Sequence, residues 1–373
     1  MPRDDDQLPI DQLFPENMRR LLNFGGQEFI ERVGPESLRA ATLHILRGDN
    51  VRTQTEPMTR QRIAEVFGAM TKLLANASKR HNSLFVQLSE LSWHQLSNAT
   101  QSDRASVWPA QWLLGITGKS TQNVLRSEPA AFEEYTKNFE ETLTNAAESL
   151  SSEFGILNAQ IDLDGESVSL SWVEYLRFLT AMGCAELAIR GSDKSRYGKL
   201  FERLVLGGLL SSLNLDYRQS NDELSARSFW LSDSTDDREC DGTAVVRPGY
   251  LARFDIRFIG IGNPEIVRDK LSRYARQAER QGISHSSITF IIVDRYPTGP
   301  RSNSLQLAEQ SGSELIQMSM SCWPREVATR LHERLGFDHP LRSMSDSDVA
   351  DYLHSSLLEL DMLDFVPRLR SEQ

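Results

Sequence analysis

Two aspartates on either side of a short turn are the residues in this sequence whose types and spacing most directly suggest chemistry. Asp241 precedes the segment 242–246 and Asp255 lies within the segment 252–260, with the turn 247–250 between the two segments. Carboxylate oxygens suit Mg²⁺, and two or three of them suffice because that ion keeps several water ligands. A cation held there can neutralise the charge of a phosphodiester and activate a water molecule for attack. The pair therefore predicts a magnesium-dependent hydrolytic site.

A third carboxylate could come from the helix predicted before the strands or from the helix predicted after them. Glu202, on the first helix, would lie beside the apolar residues Phe201 and Leu204, where an unpartnered acid is costly. Its alternative is an ordinary surface glutamate that pairs with a basic neighbour such as Arg203. Glu265 falls in the first turn of the second helix, where the helix dipole favours acids even without a catalytic role. Both glutamates are candidates for completing the site.

The cation that would position or deprotonate the attacking water is harder to assign. Arg257 stands two positions after Asp255, and an arginine cannot act as a base at any working pH. Lys270 is the only lysine between positions 200 and 340, and it follows Glu265 by five residues. Lys270 is therefore the candidate for orienting the water, and a surface ion pair with a nearby acid is its alternative role.

The register of the hairpin decides whether the two aspartates face the same side of the sheet. With an even loop, Gly242 lies opposite Asp255, and Asp241 then points to the other face. One β-bulge, at Gly242 or Gly249, would restore a shared face, as would a position of Asp241 just before the strand. We therefore predict irregular pairing at this hairpin. The alternative is that Asp241 is only a turn residue after the charged segment 233–239.

These residues belong to a continuous block of helix and strand patterns. Helix patterns occur at 197–214, 263–282 and 304–310, and strand patterns at 228–233, 242–246, 252–260, 288–293 and 314–318. The tight turn predicts an antiparallel hairpin, whereas strands connected through helices favour parallel pairing. The block predicts an α/β (α+β) fold, in which a mixed sheet is flanked by helices in αβββαβ order.

The rest of the chain has mainly helical patterns, for example at 35–47, 59–79 and 130–151. Residues 59–68 match the first helix of a helix-turn-helix unit, and a plain amphipathic helix is the alternative. Polar breaks at 192–195 and near Pro340 divide the chain into three predicted parts. These are a helical N-terminal domain (1–190) with a candidate DNA-contact or dimerisation role, a core (191–340) and a helical extension (341–373) that contains a helix at 346–361 capped by Ser345.

The net charge of −11 argues at first against a nucleic-acid partner, because affinity for phosphate comes largely from Lys and Arg. However, residues 190–340 carry 21 basic and 20 acidic side chains, so the excess acid lies outside the core. Cys184, Cys240 and Cys322 are too few and too widely separated for a disulfide framework or a zinc site. No apolar run approaches the roughly 20 residues of a membrane span. We expect a cytoplasmic protein without a membrane partner.

Seven stretches carry a resemblance beyond these patterns: YGKLFERLVLGGLL (197–210), FWLSD (229–233), RECDGT (238–243), RFDIRFIGIGNPEI (253–266), DKLSRY (269–274), IIVDR (291–295) and QMSMSCWP (317–324). Together they resemble Type II restriction endonucleases of the CfrBI-like family, within the PD-(D/E)xK nuclease superfamily. The resemblance implies Mg²⁺-dependent, site-specific cleavage of double-stranded DNA that leaves 5′-phosphate and 3′-hydroxyl ends. It also implies a homodimer or a higher even oligomer, and a cognate DNA methyltransferase as functional partner.

Position by position, the resemblance matches Asp241 and Asp255 to the acids of the hairpin and Glu202 to the helix glutamate. The sequence departs from the common pattern at Arg257, where a lysine is usual. Some members place the missing function on the adjacent helix, which makes Lys270 the substitute cation and Glu265 a further metal ligand beside Asp241 and Asp255.

Four arginines near strand and loop ends are candidates for DNA contact: Arg257, Arg295, Arg301 and Arg325. Two other functions remain open from the sequence. One is a repair or junction nuclease of the same fold. The other is a DNA-binding protein whose nuclease core has lost its cation, and Arg257 is the main support for that alternative.

Overall fold

The computed structural model describes residues 10–22, 30–31, 33–78, 84–98, 107–118, 129–219, 225–232, 240–258, 287–296, 306, 308–309 and 311–366. The chain folds into two compact units. Met1–Gly25 and Met58–Lys194 form the first unit, and Gly26–Pro57 and Ser195–Gln373 form the second.

The helices of the described residues are α1 (Ile10–Leu13), α2 (Pro35–Leu46), α3 (Val51–Ser78), α4 (Leu84–Asn98), α5 (Trp108–Leu113), α6 (Pro129–Phe154), α7 (Trp172–Ser212), α8 (Trp323–Leu335) and α9 (Asp346–Leu358). Short 3₁₀ turns occupy Glu16–Leu21, Pro340–Ser343 and Met362–Phe365. The helix predicted at 263–282 lies outside the described residues, as does most of the helix predicted at 304–310. Within the described part of the chain, no helix is long and apolar enough to cross a membrane.

The strands are β1 (Ala159–Leu163), β2 (Glu166–Leu170), β3 (Asp216–Tyr217), β4 (Ser228–Leu231), β5 (Gly242–Arg247), β6 (Tyr250–Arg257), β7 (Ser287–Val293) and β8 (Ser313–Gln317). The pair β1 and β2 is an antiparallel hairpin in the first unit. The other strands form one sheet in the second unit, in the order β3-β4-β5-β6-β7-β8. Pairing is antiparallel from β4 to β6 and parallel from β6 to β8. The predicted mixed sheet is confirmed.

The core of the first unit corrects one interpretation of the sequence. α3 continues through Gly68 because apolar side chains recur at helical spacing beyond it, and Met70, Leu73 and Leu74 are all buried. The helix therefore does not end where a helix-turn-helix unit requires a turn. The interpretation of residues 59–68 as the first helix of such a unit is wrong, and the plain amphipathic alternative describes them.

The polar segment 192–195 is also not a break in the backbone, because it lies within α7. Asp193 is buried there and forms an ion pair with the equally buried Arg62, whose Nε donates to the carbonyl of Leu21 at 3.1 Å. A polar residue can remain in a buried helix when a charged partner of this kind satisfies it. The division between the two compact units nevertheless follows Lys194, within this segment.

In the second unit, the C-terminal part of α7 packs closely against the sheet and the last 3₁₀ turn. Leu204, Leu209 and Leu213, three leucines of the helix pattern predicted at 197–214, are fully buried. A Cβ atom added to Gly207 would lie 2.6 Å from the ring of Phe365, so only glycine allows this approach. The N-cap of the C-terminal helix α9 is as predicted, because the Ser345 side chain accepts a hydrogen bond from the first turn of that helix.

Candidate active site

The hairpin of β5 and β6 contains the irregularity that the sequence predicts. Val245 pairs with Leu251 whereas Arg247 pairs with Tyr250, so Val246 is an extra residue in β5. The bulge lies at Val246 and not at either glycine suggested for it. The extra residue is therefore a β-branched valine. Gly249 forms the turn, with a positive φ of 77°.

This bulge brings the two aspartates into register. Gly242 pairs with Phe254, so Asp241, just before β5, lies opposite Asp255 in β6. The backbone N–H of Asp241 donates to the carbonyl of Phe254 at 2.9 Å, which extends the ladder by one bond. Both carboxylates therefore start from one end of the hairpin, as a shared cation would require.

The two carboxylates differ in their surroundings. The side chain of Asp255 is 2% exposed, on a strand flanked by β5 and β7. The side chain of Asp241 is 10% exposed, and its Oδ2 atom accepts a hydrogen bond from the backbone N–H of Ile256 at 2.9 Å. That bond fixes the rotamer of Asp241, because the donor belongs to the rigid central sheet.

Glu202 joins these aspartates from α7. Its side chain is 17% exposed, and burial raises its pKa to about 7, against the opposing effect of Arg257. The negative charges of Asp241 and Asp255 raise the pKa further. The predicted proximity of Glu202 to the hairpin acids is therefore present in the structure, and its alternative as a plain surface glutamate is wrong.

Arg257 lies at the centre of this group of acids. Its Nη1 atom is 2.8 Å from Glu202 Oε2 and 3.1 Å from Asp241 Oδ2, and its Nε atom is 3.7 Å from Asp255 Oδ1. Its Nη2 atom also donates to Asp241 Oδ1 at 3.3 Å. Burial alone would lower the pKa of Arg257, but the three carboxylates outweigh burial and raise it. The guanidinium is thus a permanent positive charge among three acids.

The helix that carries Glu202 is held at this distance by specific contacts. Arg203, its neighbour in α7, donates to the carbonyl of Ser232 at 2.6 Å and to that of Phe365 at 2.8 Å. A Cβ atom on Gly242 would lie 2.8 Å from Leu206 Cδ2, so the helix meets β5 where a side chain is missing. The residue beside Asp241 therefore sets the approach of the helix.

Comparison with known proteins identifies the family to which these residues belong. The model of the CfrBI restriction endonuclease family matches residues 35–301. The Type II restriction enzyme CfrBI of Citrobacter freundii is 30% identical over 356 residues, which cover 95% of this chain and 97% of that enzyme. The chain belongs to the CfrBI restriction endonuclease family. The family expected from the sequence is thereby confirmed, and Glu202, Asp241, Asp255 and Arg257 lie within the matched range. No solved structure matches the chain.

The donor set of this CfrBI-family chain fits a hard divalent cation. Among the described residues, no group of three or more His, Cys, Asp or Glu has the geometry of a finished metal site. Asp241 and Asp255 nevertheless supply carboxylate oxygens from opposed positions at one end of the hairpin, and two such ligands suit Mg²⁺ because it retains water. The same carboxylates contact Arg257 in the structure, so a metal ion bound to them would compete with the guanidinium for their oxygens.

Of the remaining predicted site residues, some lie within the described part of the chain and some lie outside it. Glu265, Lys270 and Arg301 lie outside the described residues. Arg295 is the second residue after β7, whereas Arg325 lies in α8 and contacts Asp346 at 2.7 Å through its Nη2 atom. The structure does not place Arg325 among the three acids.

Asp294 is a residue at this end of the sheet that the sequence interpretation missed. Its backbone N–H donates to the carbonyl of Arg257 at 3.2 Å, which places it at the carboxyl end of the parallel strands β6 and β7. Burial raises the pKa of Asp294, while Arg295 and Arg52 lower it. An acid directly after an apolar parallel strand is a signal that could have identified it, because ligands of parallel sheets gather at that edge.

Proposed function

We propose that this protein is a Type II restriction endonuclease that hydrolyses double-stranded DNA at specific sites with Mg²⁺, leaving 5′-phosphate and 3′-hydroxyl ends. The observation that carries the proposal is the register of the bulged hairpin, which sets Asp241 opposite Asp255 in a chain of the CfrBI family. Phosphodiester cleavage by metal ions needs carboxylates that converge on one place, and this hairpin supplies them.

Asp241 and Asp255 would hold the metal ion, with Glu265 as the additional ligand expected from the sequence. When bound, Mg²⁺ would supply positive charge against the scissile phosphate and would make a nearby water more acidic. Glu202, whose pKa is about 7, can accept a proton or orient water near neutral pH. Lys270 keeps its proposed role as the cation that orients the attacking water.

Recognition of DNA is proposed for Arg257 at the end of β6, Arg295 after β7 and Arg325 in α8, and also for Arg301. Arginine forms bidentate hydrogen bonds with phosphate and with guanine, which suits both anchoring and reading of the duplex. A homodimer fits a near-palindromic site, because a two-fold protein matches a two-fold sequence. The functional partner would be a DNA methyltransferase that protects the same site.

The first prediction tests the chemistry directly. The purified full-length protein should cut a DNA of known sequence at a defined site with Mg²⁺, and Asp255→Asn should reduce the cleavage rate by about a thousandfold or more, because a metal ligand supplies several kcal/mol. Sequencing of the product ends gives the cut position, and 5′ end-labelling reports the phosphate.

The matched control is Asp351→Asn, which changes an exposed aspartate of α9. Its cleavage rate should equal that of the wild-type protein. Full cleavage by the Asp255→Asn protein would refute the assignment of the site.

The central position of Arg257 favours one second candidate, a DNA-binding protein whose nuclease core no longer cuts. In that case the guanidinium would replace the metal ion permanently. Binding of specific DNA in Ca²⁺, with no cleavage in Mg²⁺ or Mn²⁺ at any site, would support this candidate over the endonuclease.

A further inference from the structure

Arg257 uses the same carboxylate oxygens that a metal ion would use. Its Nη1 and Nη2 atoms lie 3.1 Å and 3.3 Å from the two oxygens of Asp241. Its Nη1 atom also reaches Glu202 at 2.8 Å, and its Nε atom is 3.7 Å from Asp255. One side chain thereby bridges acids from α7, from β6 and from the residue just before β5.

We propose that Arg257 is an internal counter-ion that competes with the divalent metal in the free protein and is released to a phosphate group of bound DNA. Because the metal and the DNA enter only through the proposed nuclease function, this role rests on that function. Arg257 acts on the metal through Asp241 and Asp255, so it is a positioning residue in the free protein.

The competition follows from distance and charge. Mg²⁺ binds oxygen at about 2.0–2.1 Å, so an ion on Asp241 would lie within a few ångströms of the guanidinium. Two such cations repel strongly at that separation in a partly buried site. The arginine must therefore move before the metal is held well, and its side chain is 28% exposed, which leaves it a route to solvent.

A phosphate group provides the destination for the displaced arginine. The guanidinium fork matches phosphate oxygens bidentately, as it matches a carboxylate. DNA would then offer Arg257 a new anion while the metal takes its place on the acids. By linkage, DNA tightens metal binding and metal tightens DNA binding to the same degree. Such coupling would keep the free enzyme from holding an active metal site away from its substrate.

The second prediction concerns the metal affinity of the protein in the absence of DNA. Mn²⁺ alone is titrated into the full-length wild-type protein and into Arg257→Gln at low ionic strength, and the free ion is counted by electron paramagnetic resonance. Removing the competing charge should tighten Mn²⁺ binding about tenfold or more, within the usual range of coupling between ligands. A merely structural role for Arg257 would leave the affinity unchanged or weaken it, and either result would overturn the proposal.

Two controls show whether the gain arises at this site. Arg330 of α8 also contacts three acids, the exposed Glu326 and Glu333 and the nearly buried Glu314. Arg330→Gln should leave Mn²⁺ affinity unchanged. An equal gain in affinity there would show that the loss of any positive charge tightens Mn²⁺ binding, and it would overturn the proposal. Adding Asp241→Asn to Arg257→Gln should abolish the gain, and a persistent gain would place the ion elsewhere.

Circular dichroism and thermal unfolding check that each variant is folded. If Arg257→Gln does not fold, Arg257→Met keeps a long, unbranched side chain but carries no charge. Its Mn²⁺ affinity should then lie above that of the wild-type protein, and an equal or lower affinity would overturn the proposal.

DNA cleavage is measured separately on the same preparations. Tighter Mn²⁺ binding in Arg257→Gln, combined with no cleavage by the wild-type protein, would support the counter-ion role and refute the nuclease function. Cleavage by the wild-type protein, without any gain of Mn²⁺ affinity in Arg257→Gln, would support the nuclease function and refute the counter-ion role.

Discussion

Arg257 and Glu202 show how much of a site can depend on side-chain environment. The sequence placed an arginine where a lysine is usual, and the functional cation was therefore assigned to the following helix. The structure shows Arg257 in contact with Glu202, Asp241 and Asp255, and the assigned helix lies outside the described residues. The chemical type of each residue could be predicted from the sequence. Their meeting could not, because it depends on how α7 lies against β5.

At the residue scale, a third prediction concerns His339. This side chain is buried, and its Nδ1 atom accepts a hydrogen bond from the backbone of Leu341. Its Nε2 atom lies 3.0 Å from Asn214 Nδ2 and 3.3 Å from Tyr352 Oη. Burial lowers the pKa of His339, the positive charge of Arg227 lowers it further, and Asp338 raises it. The neutral imidazole is therefore the form that the folded state favours.

A depressed histidine pKa stabilises the fold above the unfolded value of 6.5, and this stability is lost as the pH falls through the folded pKa. The free energy of unfolding should therefore decrease between about pH 7 and pH 5.5. In His339→Asn, whose side chain can still cap the 3₁₀ turn but does not titrate, this decrease should be smaller. Urea unfolding of both proteins across this range gives the two slopes. Equal slopes would show that His339 does not contribute.

At the element scale, the hairpin was predictable in kind but not in detail. The position of the turn and the spacing of the aspartates required one irregularity in the pairing. The sequence favoured a glycine for it, because glycine tolerates bulges well. The structure places the bulge at Val246 because Gly242 is needed for the close approach of Leu206. Tertiary packing thus decided between positions that local preferences left open.

Two other elements were missed for different reasons. The hairpin of β1 and β2 turns at Asp164 and Gly165, both with positive φ. An Asp-Gly pair between two segments of alternating apolar and polar residues is a strong hairpin signal, so this element could have been predicted. β3 has only two residues, Asp216 and Tyr217, and it exists through its pairing with β4. No local pattern is long enough to reveal a strand of that length.

The fourth prediction tests the contact between α7 and β5. Gly242→Ala would bring a methyl group within 2.8 Å of Leu206 Cδ2 and 3.2 Å of Leu231 Cδ2. Such overpacking should cost about 1–3 kcal/mol of stability and shift Asp241, which lowers the rate of DNA cleavage. Gly198→Ala is the matched control in α7, because a Cβ atom there meets nothing within 4 Å. The control should be neutral or slightly stabilising. A Gly242→Ala protein with unchanged stability and cleavage rate would disprove this role of Gly242.

At the scale of the whole molecule, the net charge of −11 is a poor guide to the site. The acidic excess lies outside residues 190–340, so the average hides a balanced core. The sequence predicted the mixed sheet and most of its strands because a block of alternating patterns determines them. The role of residues 1–190 was not predictable, because helices without a recognised motif have many uses.

The fifth prediction concerns assembly. A restriction endonuclease with a near-palindromic site should be a two-fold dimer, free or on DNA. Light scattering after size exclusion at micromolar concentration should give twice the chain mass of 42.2 kDa, and a higher even multiple is also compatible. A monomer both with and without specific DNA would contradict the prediction.

The extra residue at Val246 also limits how this hairpin can vary in evolution. Asp241 and Asp255 are fourteen positions apart, and their shared face depends on one unpaired residue in β5. Loss of Val246 itself would leave a regular hairpin with the two acids still opposite, whereas loss of a paired residue with the bulge retained would turn one acid away. An interval of this length therefore needs a bulge, and an interval shorter by one residue needs none. The length of the interval, taken together with the presence of a bulge, becomes a criterion for sorting homologous genes into those that retain the acid pair and those that have lost it.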